Sequence, residues 1–276
     1  MGSTYLNAYE ILEQVRHGIN DYSAGLLAGT DTTGAYLNKE LMRAINDAQG
    51  QLFNILITRE PQLFYKSATL TPVSSVLTMP SDFYRMRRIE DRYGVKLNPI
   101  PLDNKRLTDD AGTEWFYYSL AGTVVFDRLS FTDSVVVYYV KKCRELDQGA
   151  LAAGGTKAGT LASTARAVAD YYNGMTIENV TAGYFEAIAD YTAARVITLV
   201  TNNTTTADVY GLISDLPEEI HKFIAKRAIL DLRNHPKSIV KPTKLDWDDY
   251  GDQLSEAIKG LLGTQQTDVN YGELFD

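Results

Sequence analysis

The sequence has one cysteine, three histidines and no run of about 18 apolar residues. Cys143 alone excludes an intramolecular disulfide framework and any zinc site with the usual number of cysteine ligands; it reads as a small apolar residue near a strand end. His17, His221 and His235 have neither a second histidine nor an acid at a spacing such as H-E-x-x-H, so surface or capping roles are expected and no metal. No G-x-S-x-G elbow occurs, and a lone cysteine without a partnered histidine makes no nucleophilic dyad. The start lacks a positively charged stretch followed by an apolar one, so the chain is expected neither to be secreted by that route nor to span a membrane. The sequons at Asn179 and Asn202 then carry no weight. Basic excess is lacking too. The 27 Lys and Arg against 35 Asp and Glu give a formal charge of −8, the opposite of what phosphate neutralisation needs. The expectation is a protein that is not an enzyme, with no catalytic residue, cofactor or metal, and one that does not grip DNA.

What is present suits a folded domain with broad half-buried surfaces. The 276 residues are 45% apolar and 22% charged, and 18 are tyrosine, which buries a ring and keeps a hydroxyl for water or a partner. Leu12, Val15, Ile19, Tyr22 and Leu26 recur at spacings of three and four and predict a helix, ended by the glycines at 29–34. Leu37, Leu41, Ile45, Ala48, Leu52 and Leu56 predict a second, closed by Glu60-Pro61. Between about 65 and 146, short β-branched and aromatic runs predict strands at 66–71, 84–92, 115–120, 123–127 and 134–142. The last lacks alternation, so it is expected at the centre of its sheet with both faces covered.

The stretch 149–160 is small and nearly featureless and reads as a flexible connection. Asn173-Gly174 signals a hairpin turn, 184–189 and 195–200 read as strands, and 202–206 as an exposed turn. Helical spacing returns at Ile220, Ile224, Ala228 and Leu232 after Pro217-Glu218-Glu219, and again at Trp247, Tyr250, Leu254, Ile258 and Leu261. The expected fold is α+β: a helical bundle core of two N-terminal and two C-terminal helices, a β-sheet domain, and an inserted small β module. The boundaries fall at 1–149, 150–213, 214–263 and a loose tail at 264–276.

Four clusters invite a chemical reading. The loop Gly154 to Thr160, "GGTKAGT", lacks the order of a Walker phosphate cradle and reads as a linker. Asp246, Asp248, Asp249 and Asp252 around Gly251 resemble half of an EF-hand loop, but Tyr250 and Ala257 fall where oxygen ligands belong, and helix capping explains the acids better. Tyr171, Tyr172 and Tyr184 could form a sugar platform or, more plainly, cross-strand aromatic pairs. Arg85, Arg87 and Arg88, flanked by Tyr84 and Tyr93, could touch phosphates or stack on bases; Glu90 and Asp91 beside them favour a salt-bridge ladder or intersubunit ion pairs.

The order of these segments resembles that of the head-to-tail adaptor, or connector, proteins of short-tailed bacteriophages. The stretches that carry it are "AYEILEQVRHGIND" with "LNKELMRAINDAQGQLFNIL", then "SVLTMPSDFYRMRRIEDRYGVKLNPIP", "TEWFYYSLAGTVVFDRLSFTDSVVVYYVKKCREL" and "DLPEEIHKFIAKRAILDL". They span about 1–149 and 214–263; the 150–213 block departs from the smaller family members. The resemblance implies a virion protein that forms a ring of twelve beneath the portal protein, bonded to tail nozzle or tail-tube protein, with genomic DNA passing through without specific binding. Val269, Tyr271, Leu274 and Phe275 are sparse apolar anchors in the tail and are candidates for docking on the portal. The 150–213 block is a candidate seat for tail fibres or tailspikes. The competing readings are another neck or tail-completion ring protein, and a carbohydrate-binding β module on a helical stalk.

Overall fold

The computed structural model describes residues 5–21, 36–99, 115–118, 123–126, 132–238 and 240–265. Two compact units emerge, one formed by residues 57–142 and the other by 1–56 together with 143–276.

Within 57–142, a short 3-10 turn (Pro61–Phe64) leads into β1 (Tyr65–Leu70), β2 (Val76–Thr78), β3 (Phe83–Glu90), β4 (Asn98–Pro99), β5 (Trp115–Tyr118), β6 (Thr123–Phe126) and β7 (Val135–Lys141). β7 lies between β1 and β3 in an antiparallel three-stranded sheet, at the centre as its composition predicts. The second sheet runs β2-β6-β5-β4. Leu77, Ile89, Leu97, Val124, Phe126, Val135, Val137 and Tyr139 form one apolar core from strands of both sheets. β7 departs from expectation in one respect. Val135, Val137 and Tyr139 are buried on one face; on the other, Val140 is buried but Val136 and Tyr138 are only half-buried, with Arg88 lying over the Tyr138 ring.

The other unit opens with α1 (Ala8–Gly18), whose start is fixed by a capping box: Glu10 N donates to Asn7 Oδ1 at 2.9 Å and Asn7 N to Glu10 Oε2 at 3.1 Å. The helix is shorter than its apolar spacing suggests. Ile19 is its C-cap, while Tyr22 and Leu26 lie outside the described residues. α2 (Asn38–Arg59) buries Leu41, Ile45, Ala48, Leu52 and Leu56 as the periodicity requires. α3 (Glu218–Asn234) packs against both α1 and α4 (Lys244–Gln265). Gly18 is needed where α1 meets α3, because a side chain there would collide with Ile229, and Arg233 donates to the Gly18 carbonyl at 2.6 and 3.1 Å.

Between the helices lies a seven-stranded sheet in the order β8-β14-β11-β12-β13-β10-β9. Its strands are β8 (Gln148–Ala150), β9 (Ala153–Gly155), β10 (Ala158–Thr160), β11 (Thr176–Asn179), β12 (Tyr184–Tyr191), β13 (Val196–Leu199) and β14 (Val209–Leu212). The stretch 149–160 is therefore no flexible connection: it supplies β9, β10 and most of β8. Its small residues serve close approach. A Cβ on Gly154 would sit 2.5 Å from the Thr206 nitrogen, so only glycine lets the 204–206 loop lie on this hairpin. In the 202–206 turn Asn203, Thr205 and Thr206 are exposed as expected, while Thr204 is buried. Asn173-Gly174 is not a hairpin turn. Gly174 has the expected positive φ of 73°, but it ends an irregular turn leading into β11, and the β11–β12 hairpin closes at 180–183 with Gly183 at φ 71°.

Candidate functional site

Among the described residues, the outer face of the β1-β7-β3 sheet gathers exposed aromatic and basic side chains. Register shifts at Tyr84 and Arg87 place extra residues in β3, so that Arg87 and Arg88 fall together beside Tyr138. The Arg88 guanidinium lies 4.3 Å from the Tyr138 ring centre, and its Nε is 3.0 Å from Glu90. Arg87 lies 4.9 Å from the centre of the Tyr65 ring. A guanidinium over an aromatic ring can still donate from its edge, as Arg88 Nε does to Glu90. Arg88–Glu90 is the one rung of a salt-bridge ladder here; neither Arg85 nor Arg87 pairs with a carboxylate among the described residues. Tyr65 and Tyr84 stay about half exposed, at 45% and 51%.

The corner before β3 holds this face in place. Tyr139 Oη donates to Asp82 Oδ1 at 2.8 Å, Lys66 Nζ sits 2.7 Å from Asp82 Oδ2, and Lys142 N donates to the Asp82 carbonyl at 2.7 Å. A buried aspartate thus ties β1, β3 and β7 through three donors, which is the physical role of the Pro-Ser-Asp-Phe corner in the sequence.

In the other unit, polar groups turn inward and satisfy one another. Arg144 grips Asp215 with Nε and Nη2 at 2.8 and 2.7 Å and reaches the Asn173 carbonyl at 2.6 Å. Asp147 is buried and accepts from the Tyr210 hydroxyl; burial pushes its carboxyl up to about 6 against the opposing pull of that bond. Desolvation also raises Tyr172 and Tyr210 far out of the physiological range, so their hydroxyls act only as neutral donors and acceptors. Tyr171 and Tyr172 are buried and meet edge to face at 4.8 Å, within the irregular turn and not across strands. They offer no face to a sugar.

Two clefts, of 390 and 420 Å³, flank α2 and share Arg43 and Asp47. The first reaches Asp147, Thr164 and Gln148, whose Oε1 is buried without a donor. The second holds the Glu40–Lys237 pair at 3.0 Å, with the Leu37 N–H and then Lys237 holding the Glu40 carboxyl below its ordinary range. Both mix acids and bases around their rims. Among the described residues no group of three His, Cys, Asp or Glu is arranged to hold a metal ion.

At the head of α4, Asp246 accepts from Thr243 N at 2.7 Å and Thr243 Oγ1 at 2.8 Å, the capping role expected of it; these bonds hold its carboxyl low. Asp249 accepts from Gln253, while Asp248, Asp252 and Glu256 point outward. Val269, Tyr271, Leu274 and Phe275 lie outside the described residues.

Exposed Arg and Tyr on a fixed sheet are residue types that protein interfaces favour. The family model for the SU10 adaptor protein matches residues 6–272. The chain belongs to the SU10 adaptor protein family. The matched span runs across 150–213 as well as the helical frame. No curated protein matches the chain. Membership makes this a structural adaptor of a bacteriophage virion, whose partners are, in general terms, the portal and the tail. Among its described residues no helix is long and apolar enough to cross a membrane.

Sequence reasoning located the arginines but missed their stacking partners, because Tyr65 and Tyr138 are far from β3 in the chain. It also missed the buried pairs of Arg144 and Asp147. A charged residue in a short polar stretch carries no sign of its burial.

Proposed function

We propose that this adaptor assembles into a closed ring, twelve copies beneath a twelve-fold portal, that joins the head to tail nozzle or tail-tube protein and surrounds the path of the DNA. It acts by contact and not by catalysis, in the host cytoplasm during assembly and then in the virion neck. The family match over 6–272 carries this reading. Two physical features support it. A formal charge of −8 suits a channel wall that repels phosphate and lets the duplex slide. The exposed Tyr65, Tyr84, Arg85, Arg87 and Arg88 supply the residue types that dominate protein interfaces, with the arginines as intersubunit ion-pair donors. Mixing the purified chain with portal protein tests the ring by negative-stain imaging. Coaxially stacked rings are expected; portal rings with no added density would overturn it.

Two further contacts belong to the same proposal. The segment with Val269, Tyr271, Leu274 and Phe275 docks on the portal, ordering as it binds. A chain truncated after 263 should lose portal capture in a pull-down, and unchanged capture would remove this contact from the account. The seven-stranded region seats tail fibres or tailspikes, for which Val168, Phe185 and Val200, all exposed, offer apolar contacts. Particles that lack 150–213 yet carry a full fibre complement would refute it.

A further inference from the structure

The charges of this chain are divided unevenly. Residues 57–142 hold 12 basic and 10 acidic side chains, and the other 190 residues hold 15 and 25. On one sheet face of the basic side, Arg85 and Arg87 are exposed and have no carboxylate partner among the described residues, with Tyr65 and Tyr84 beside them. The acidic side has a matching set on α4. Asp248, Asp252 and Glu256 recur at intervals of four, so they share one helix face; all three are exposed, none has an ion pair among the described residues, and Leu245 at the head of the helix is 76% exposed.

The carboxylates on α4 are spaced about 6 Å apart, four residues of helix. The bulge at Arg87 breaks the even spacing of β3, so the two patches match in charge and short extent and not rung for rung. Tyrosine rings on one side and Leu245 on the other would exclude water from the contact.

We infer that the β1-β7-β3 face of one copy receives the α4 face of the next copy. This rests on the ring reading above and names the surfaces that close it. Two different, complementary patches on one chain make a head-to-tail contact, which is the kind that generates rings. A self-complementary patch would stop at a dimer. Nucleic acid is the less suitable occupant, since Glu90 stands within the arginine cluster and is paired with Arg88.

Charge exchange tests it on the full chain, with assembly followed by sedimentation velocity, alone and with portal protein added. The R85E/R87E and D248R/D252R variants should each raise the midpoint concentration for assembly by about tenfold or more. The fourfold variant, with the charges exchanged, should return to within about threefold of wild type. R85Q/R87Q, which removes charge without inserting acids, should show an intermediate loss, and thermal melts of all variants should stay within a few degrees of wild type because these side chains are exposed and make no ion pair among the described residues. Unchanged assembly in either double variant, or a fourfold variant no better than the doubles, overturns this contact and leaves the ring reading standing. Normal assembly of R85E/R87E with lost retention on duplex DNA assigns the face to nucleic acid and overturns it too. A wild-type chain that stays monomeric even with portal present overturns both.

Discussion

The 57–142 unit and the seven-stranded sheet are both largely antiparallel β structures, yet they are held together by different means. In the first, an unbroken apolar core from two sheets does the work, and the arginines stay outside on tyrosine rings. In the second, much of the interior is polar: Tyr210 donates to Asp147, Tyr191 to the Arg166 carbonyl at 2.6 Å, and Arg144 closes on Asp215. The irregular stretch between β10 and β11 explains the contrast. It lies outside the regular strand ladder, and beside a few backbone bonds such as Asp170 N to the Tyr191 carbonyl, buried hydroxyls and guanidinium groups partner its carbonyls. The first design leaves charge available for neighbours, whereas the second consumes it internally.

Removing one member of a buried pair should break the second region hardest. Arg144→Ala strands the Asp215 carboxylate and the Asn173 carbonyl, and a loss of about 4 kcal/mol is expected in urea unfolding. In the first region the largest effect should come from the core instead. Ile89→Ala opens a cavity among residues from both sheets and should cost about 3 to 4 kcal/mol, whereas an equal cost from Arg87→Ala would blur the distinction drawn here.

Asp147 sharpens the contrast through pH. Its carboxyl stands near 6 in the folded protein against about 3.8 when unfolded, so the neutral form is favoured by folding. The stability this gives is fully present below about pH 3.8 and is lost as pH rises through 6. The loss is up to about 3 kcal/mol. Asp147→Asn keeps an acceptor for Tyr210 and should flatten the pH 4 to 7 stability profile; a profile identical to wild type would show that the carboxyl is not buried as described. The smallest effect separates two adjacent glycines. Gly154→Ala meets the Thr205–Thr206 backbone and should cost about 1 to 2 kcal/mol, while Gly155→Ala, whose nearest neighbour is the Ala158 carbonyl at 3.7 Å, should cost under about 0.5 kcal/mol.

The same contrast decides what could be read in advance. α2, α3 and α4 declare themselves because their apolar residues repeat every three or four positions, and β1, β3, β6 and β7 because they are rich in Val, Tyr and Phe. β8, β9 and β10 do not. Their Gly and Ala carry no alternation, and what places them is backbone approach by the 204–206 loop, a contact made some 50 residues away. β11 and β14 are short and hidden among polar residues. Of the assembly surface, the arginine cluster was legible as a run of charge. Its stacking on Tyr65 and Tyr138 depends on sheet register and two bulges, which no local pattern encodes.

The central claim is that this chain joins head to tail, and phage particles test it most directly. Particles made without it should accumulate as DNA-filled heads free of tails, and adding the purified chain followed by tails should restore tailed, infectious particles. Tailed particles forming in its absence, or heads that accept tails equally well with and without it, would contradict the account.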